Sequence, residues 1–144
     1  MTLLREFLIL SLLVLIGSIY SLVSGLSPAP WAEPELAPGE IRLEDARTLN
    51  PIWLDARSEA IYAESHIPSA LLFNEDNFDD ALIDVVSAWL DSPRPIIVYC
   101  SSEQCQTSSR IADRLRTTLL ESDIEAEIYS LKGGWDAWVQ LLDK

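Results

Sequence analysis

Thiols, imidazoles and cations are scarce in this 144-residue chain, which has two cysteines, one histidine and ten Lys or Arg residues. Zinc needs three or four N or S ligands, so Cys100, Cys105 and the distant His66 fall short, and no metal or other cofactor is expected. The cations are outnumbered by 23 carboxylates, and the net charge is −13. A surface of that sign repels phosphate backbones and anionic lipid heads, which argues against a nucleic-acid partner. Two cysteines this close in sequence would close only a very small loop, so a disulfide between them cannot staple the fold. Their use is expected to be chemical.

A different absence marks the beginning of the chain. From Phe7 to Ala32 no side chain is charged, and Phe7–Val23 is almost wholly Leu, Ile, Val and Ser. A membrane-spanning helix needs about 20 apolar residues. The run exceeds the roughly 7–15 apolar residues of a cleaved signal, and Val23-Ser24-Gly25 is only a passable cleavage site. Residues 1–25 therefore read as an anchor, with a signal peptide as the alternative, and residues 7–24 as the part that meets the bilayer. Arg5 precedes the run, and the next basic residue is Arg42, which favours a single-pass protein with its bulk outside the cytoplasm. Removing Arg5 and Glu6 with the anchor takes one charge of each sign, so the remainder stays at −13. Residues 26–40 carry Pro28, Pro30, Pro34 and Pro38 and read as a stiff spacer. Residues 41–144 are left for one domain.

Within that domain short apolar runs alternate with helical spacing. Strands are expected at Ile52–Leu54, Ala70–Phe73, Ile96–Tyr99 and Glu127–Ser130. Helices are expected from Ser58 to about Ser65 and near 77–90. Another, capped by Ser108 or Ser109, carries Ile111, Ala112, Leu115 and Leu119, and a last one runs from Trp135 to Leu142. The run at Ile96–Tyr99 is β-branched and continuous, as in strands buried on both faces. Alternation of this kind implies an α/β fold with a parallel sheet flanked by helices, preceded by the transmembrane helix.

Cys100 falls where the strongest strand ends and a loop leads into the next helix. Ligands of open α/β sheets bind outside the carboxyl ends of the strands. Helix amino termini there favour negative charge, and so favour the nucleophilic thiolate.

Four motifs lie in order along the chain: Leu54-Asp55-Ala56-Arg57, His66-Ile67-Pro68-Ser69-Ala70, Ile97-Val98-Tyr99-Cys100, and Leu131-Lys132-Gly133-Gly134-Trp135-Asp136-Ala137-Trp138. Together they resemble the rhodanese superfamily across roughly residues 40–142. The resemblance implies a rhodanese-like sheet in which Cys100 accepts a sulfane sulfur as a persulfide and passes it to a thiol acceptor. It gives His66 a mainly structural part; Asp55 and Arg57 are expected to tie the end of the first strand to neighbouring loops, and Trp135 and Trp138 to anchor the core.

The loop departs from the family's arginine- and glycine-containing pattern. Ser101, Ser102, Glu103, Gln104, Gln106, Thr107 and Ser108 are expected to line the substrate site, with one acid and no arginine among them. Anionic donors such as thiosulfate should be poorly held. A phosphatase of the same fold would need arginine to clamp an oxyanion, where this chain has Gln106. Cys105 is a candidate resolving thiol, able to attack a persulfide or sulfenate on Cys100. The expected function is thus a membrane-anchored sulfurtransferase or thiol-redox protein, with sulfur donor and thiol acceptor as partners. The alternative is a non-catalytic rhodanese-like module that docks a protein at the membrane.

Overall fold

The computed structural model describes residues 2–24, 35–102 and 106–143. They fall into two compact units, one within Met1–Glu35 and one within Leu36–Lys144. The first contains a single helix, α1 (Thr2–Val23), whose apolar window Leu3–Ser21 is long and apolar enough to cross a membrane. Its apolar side chains are exposed, Leu3, Phe7, Leu10 and Val14 each by more than half. A 19-residue apolar span near the amino terminus suits a bilayer span or a signal sequence equally. Most of the expected spacer lies outside the described residues.

The second unit is built on five parallel strands in the order β1-β5-β4-β2-β3. In chain order it runs β1 (Glu40–Ile41), α2 (Leu43–Thr48), β2 (Ile52–Asp55), α3 (Glu59–Glu64), β3 (Leu71–Leu72) and α4 (Phe78–Asp91). It continues through β4 (Ile96–Tyr99), α5 (Thr107–Glu121), β5 (Ile128–Leu131) and α6 (Gly134–Leu142). The four expected strands and four expected helices are all present. β1 and α2 come in addition, and Glu40, at the end of the expected spacer, pairs with Ser130 of β5.

Successive strand residues face opposite sides of the sheet, and the chain exploits this period of two. Ile52, Leu54, Ile96 and Val98 join one core with Phe73, Val85, Ile111, Leu115 and Leu119, the side covered by α4 and α5. Trp53, Ile97 and Tyr99 join the other with Ile41, Leu43, Ala46, Ile67 and Leu131, against which Trp135, Trp138 and Leu141 of α6 pack. Both faces of β2 and β4 are thereby dry, which is why their sequences are continuous rather than alternating in polarity.

Two sequence expectations are corrected at element ends. α5 starts at Thr107 with Gln106 as its N-cap, so Ser108 and Ser109 lie in its first turn and do not cap it. Ser108 is buried, and Ser109 Oγ donates to Ser130 Oγ at 3.3 Å. The last helix, expected from Trp135, begins one residue earlier, at Gly134.

Candidate functional site

From β2 the chain passes to β3 on one side, and from β4 to β5 on the other, so the sheet's switch point lies between β2 and β4. Cys100 follows β4 directly, and Asp55-Ala56-Arg57 ends β2 beside it, with Ala56 N donating to Tyr99 O at 2.8 Å. A crevice at that point is where open α/β sheets place their chemistry.

The loop after Cys100 is fixed by its neighbours. Trp135 N donates to Cys100 O at 2.7 Å and Asp136 N to Ser101 O at 3.1 Å. The first N–H groups of a helix have no partner within it; here α6 spends them on the two carbonyls that open the cysteine loop. So close an approach requires Gly134, where φ is +53° and a Cβ would collide with the Cys100 carbonyl. The Gly-Gly pair in the sequence signals a special backbone at this point, but the contact with a segment 34 positions upstream has no local signature.

Beneath the loop lies a charged network that carries no exposed atoms to speak of. Arg57 donates through Nε and Nη2 to Asp55 Oδ1 and Oδ2 at 2.9 and 2.6 Å, and through Nη2 to Ser65 O at 2.7 Å. Tyr99 Oη donates to Asp55 Oδ2 at 2.7 Å and accepts from Ile67 N at 3.1 Å. The Arg57 guanidinium stacks over Trp135 at 4.5 Å and Tyr99 at 5.5 Å from the ring centres. Burial works against the Arg57 charge, yet the hydrogen bond and the charge of Asp55 outweigh it and hold its pKa above the ordinary value. Burial, and then the Asp55 hydrogen bond, push the Tyr99 phenol well above its ordinary 10.0. Asp55 and Arg57 thus tie the ends of β2, β4 and α3 together under Cys100.

The expected loop residues separate into two groups. Ser101 is exposed, whereas Ser102, Gln106 and Ser108 line a cavity of about 380 Å³ with Ser109, Arg110 and Gly133. Thr107 Oγ1 accepts from Arg110 Nη2 at 3.3 Å. Two carboxylates, Glu40 and Asp113, also line this cavity. Its one cation, Arg110, is paired with Glu75 at 3.1 Å. Glu103, Gln104 and Cys105 lie outside the described residues. Cys100 itself is 6% exposed, and its sulfur is engaged in a disulfide. His66 is engaged by Tyr62: its ring stacks on the phenol at 4.1 Å and its Nδ1 lies 2.9 Å from Tyr62 O.

These features define a class: an α/β domain with one parallel sheet, presenting a cysteine loop at the carboxyl end of its central strand over a buried arginine–aspartate pair. Within that class the chain belongs to the rhodanese-like domain family, whose model matches residues 41–141. Solved structures with the same fold include the N-terminal domain of a protein from Clostridium difficile 630 named for ATP/GTP binding. It is 22% identical with a TM-score of 0.52, covering 73% of this chain and 99% of that one. A Bacillus halodurans protein is 20% identical with a TM-score of 0.52, covering 72% of each chain. A human single-domain sulfurtransferase is 18% identical with a TM-score of 0.48, covering 71% of this chain and 96% of that one. For the two bacterial proteins the likeness is one of fold.

Proposed function

We propose that this protein is a membrane-anchored sulfurtransferase or thiol-redox protein that works through a persulfide on Cys100. The observation that carries the reading is the placing of Cys100. It follows the central strand at the switch point, with its carbonyl clasped by α6 and a rigid ion pair below it. Such a frame holds one sulfur in one orientation, as a group-transfer nucleophile requires.

The chemistry starts from reduced Cys100. Its thiolate attacks the outer sulfur of a persulfide donor, R–S–SH. A new S–S bond forms on Cys100 as the donor's own S–S bond breaks, and R–S⁻ leaves with the electron pair. An acceptor thiolate then takes the outer sulfur and restores the Cys100 thiolate. In a second route the Cys105 thiolate attacks the Cys100 sulfur and expels hydrosulfide. That leaves a Cys100–Cys105 disulfide, which an external dithiol reopens with two electrons. The disulfide at Cys100 suits this second route.

The donor is a neutral or protein-bound persulfide, because Glu103, Glu40 and Asp113 offer no counter-charge to a small dianion. Ser101, Ser102, Gln104, Gln106, Thr107 and Ser108 supply neutral hydrogen-bonding groups in its place. The helix α1 holds the domain at a bilayer on its extracytoplasmic side. Release of the full-length protein by alkaline carbonate without detergent would count against that anchor, and a mature amino terminus near Leu26 would make α1 a signal.

The test of the site is to reduce the protein, expose it to a sulfane donor and trap the product with a persulfide-selective alkylating probe. Label should appear in wild type, vanish in Cys100→Ser, and persist longer in Cys105→Ser than in wild type. Equal label in wild type and Cys100→Ser would refute the nucleophile. The burial of Cys100 favours one second reading, a non-catalytic docking module, and that reading gains if wild type takes up no label at all.

A further inference from the structure

The opposite end of the sheet carries a second feature that the sulfur chemistry does not use. There the start of β2 (Asn50, Pro51, Ile52, Trp53), the turn before β3 (Pro68, Ser69), Leu71, Ala88 of α4 and Arg94 line a cavity of about 340 Å³. Among these residues there is one cation and no acid, in a chain of net charge −13. Arginines at two other cavities are paired, Arg116 with Asp113 at 2.6 Å and Arg110 with Glu75 at 3.1 Å. Arg94 is half-buried, and its Nε is buried with no hydrogen-bond partner. A buried donor left unpaired is costly, and native proteins rarely leave one without a reason.

The surroundings hold Arg94 in place. Pro93 and Pro95 flank it, and a residue before proline is confined to extended backbone. Across the cavity Pro68 and Ser69 form the centre of a turn closed by Ala70 N to Ile67 O at 2.9 Å. Ser69 has φ of +66° there, at the position of a type II turn that favours glycine. Asn50 on the same rim has φ of +46°. The two left-handed residues place polar side chains among those that line the cavity.

We propose that this cavity binds a small organic carboxylate through Arg94. The Nε edge of a guanidinium, with its neighbouring Nη, is a planar two-donor fork that matches the two oxygens of a carboxylate. The same fold shows that match once already, in the side-on pair of Arg57 and Asp55. Arg94 lines the cavity together with Ser69 and Asn50, whose side chains offer further donors. Pro51, Ile52, Trp53 and Leu71 give a short hydrocarbon tail an apolar wall. The site lies beyond the amino ends of β2 and β4, whereas Cys100 follows the carboxyl end of β4, so occupancy is independent of the thiol.

The experiment uses the full-length protein in detergent, with butyrate as probe and the Arg94 Nε–H resonance as readout. Butyrate should shift that resonance saturably, and at least about tenfold more weakly bound butyrate is expected in Arg94→Gln, which loses the charge-assisted pair. Arg94→Lys keeps the charge but not the fork and should bind with intermediate strength. Cys100→Ser should bind as wild type does. Because Arg94→Gln alters the cavity wall, its fold is checked by thermal unfolding, and Ser69→Gly provides a second variant that should weaken binding without destabilising the domain. An unmoved Arg94 resonance, equal binding by wild type and Arg94→Gln, or tighter binding of inorganic phosphate than of butyrate would each overturn the assignment.

Discussion

At the scale of single residues, the position most constrained by the cysteine loop is not in that loop. Gly134 combines a left-handed backbone with contact against the Cys100 carbonyl, so an added methyl has nowhere to go. Gly134→Ala should cost more than about 1 kcal/mol, the usual scale for alanine at an incompatible φ. It should also change the rate at which reduced Cys100 is alkylated, read by mass spectrometry against the unfolding midpoint. A conservative Ala137→Gly change on the same helix should leave the alkylation rate alone. The buried network gives a second residue-scale expectation, in pH. The folded Tyr99 phenol keeps its proton at pH values where the unfolded phenol has lost it, because burial and Asp55 both disfavour phenolate there. Its contribution to stability is therefore complete below the ordinary tyrosine value of 10.0 and is lost as pH rises above it. In an ultraviolet titration the phenolate signal should show a late component that Tyr99→Phe deletes. If that substitution leaves the last part of the curve unchanged, the burial argument for Tyr99 is wrong.

At the scale of elements, the parts visible in the sequence are those whose burial is continuous or strictly periodic. β4 reads directly from Ile96-Ile97-Val98-Tyr99, because both its faces are covered. α5 reads from Ile111, Ala112, Leu115 and Leu119, all buried on one stripe. By contrast β1 has two residues and α2 six, too few to show a period, and their support is tertiary: Ile41 pairs with Leu131, and Ala46 is fully buried. The start of α5 was misplaced for a related reason. Ser108 resembles a cap by residue type, but the position is decided by packing, which buries it. Of the candidate site, the place of Cys100 was legible because it needs only the end of one strand. The clasp of α6 on the Cys100 carbonyl and the hydrogen bond from Tyr99 to Asp55 are not, since each joins segments far apart in sequence. Leu54 tests the element-level account. It is fully buried in β2, between Val98 of β4 and Leu71 of β3. Leu54→Ala should lower stability by about 2–5 kcal/mol, measured by denaturant unfolding. A loss under about 1 kcal/mol would mean that the core between the two strands collapses around the gap and is less rigid than its burial implies.

At the scale of the whole molecule, the proposed sulfur chemistry makes charge a test of donor choice. The net charge is −13, so an anion approaching from solution meets an adverse field before it meets any local group. The loop sequence contributes Glu103 and no arginine, and the adjoining cavity adds Glu40 and Asp113. Field and loop make separable contributions, because distant charges are screened by salt within a Debye length of about 8 Å at physiological ionic strength, whereas a neighbouring charge is screened much less. Sulfur transfer from thiosulfate should therefore be slow at low salt and rise with ionic strength, while transfer from a neutral persulfide should be nearly indifferent to salt. Glu103→Arg should raise thiosulfate turnover by about tenfold or more, through loss of repulsion and gain of a two-donor fork, and should shrink the salt response only in part. The neutral change Glu103→Gln separates those two gains and should fall between them. Steady-state rates for the three proteins across a salt series provide the measurement. If wild type already uses thiosulfate as fast as Glu103→Arg does, the loop is not what sets donor choice, and the acidic surface would then serve solubility alone.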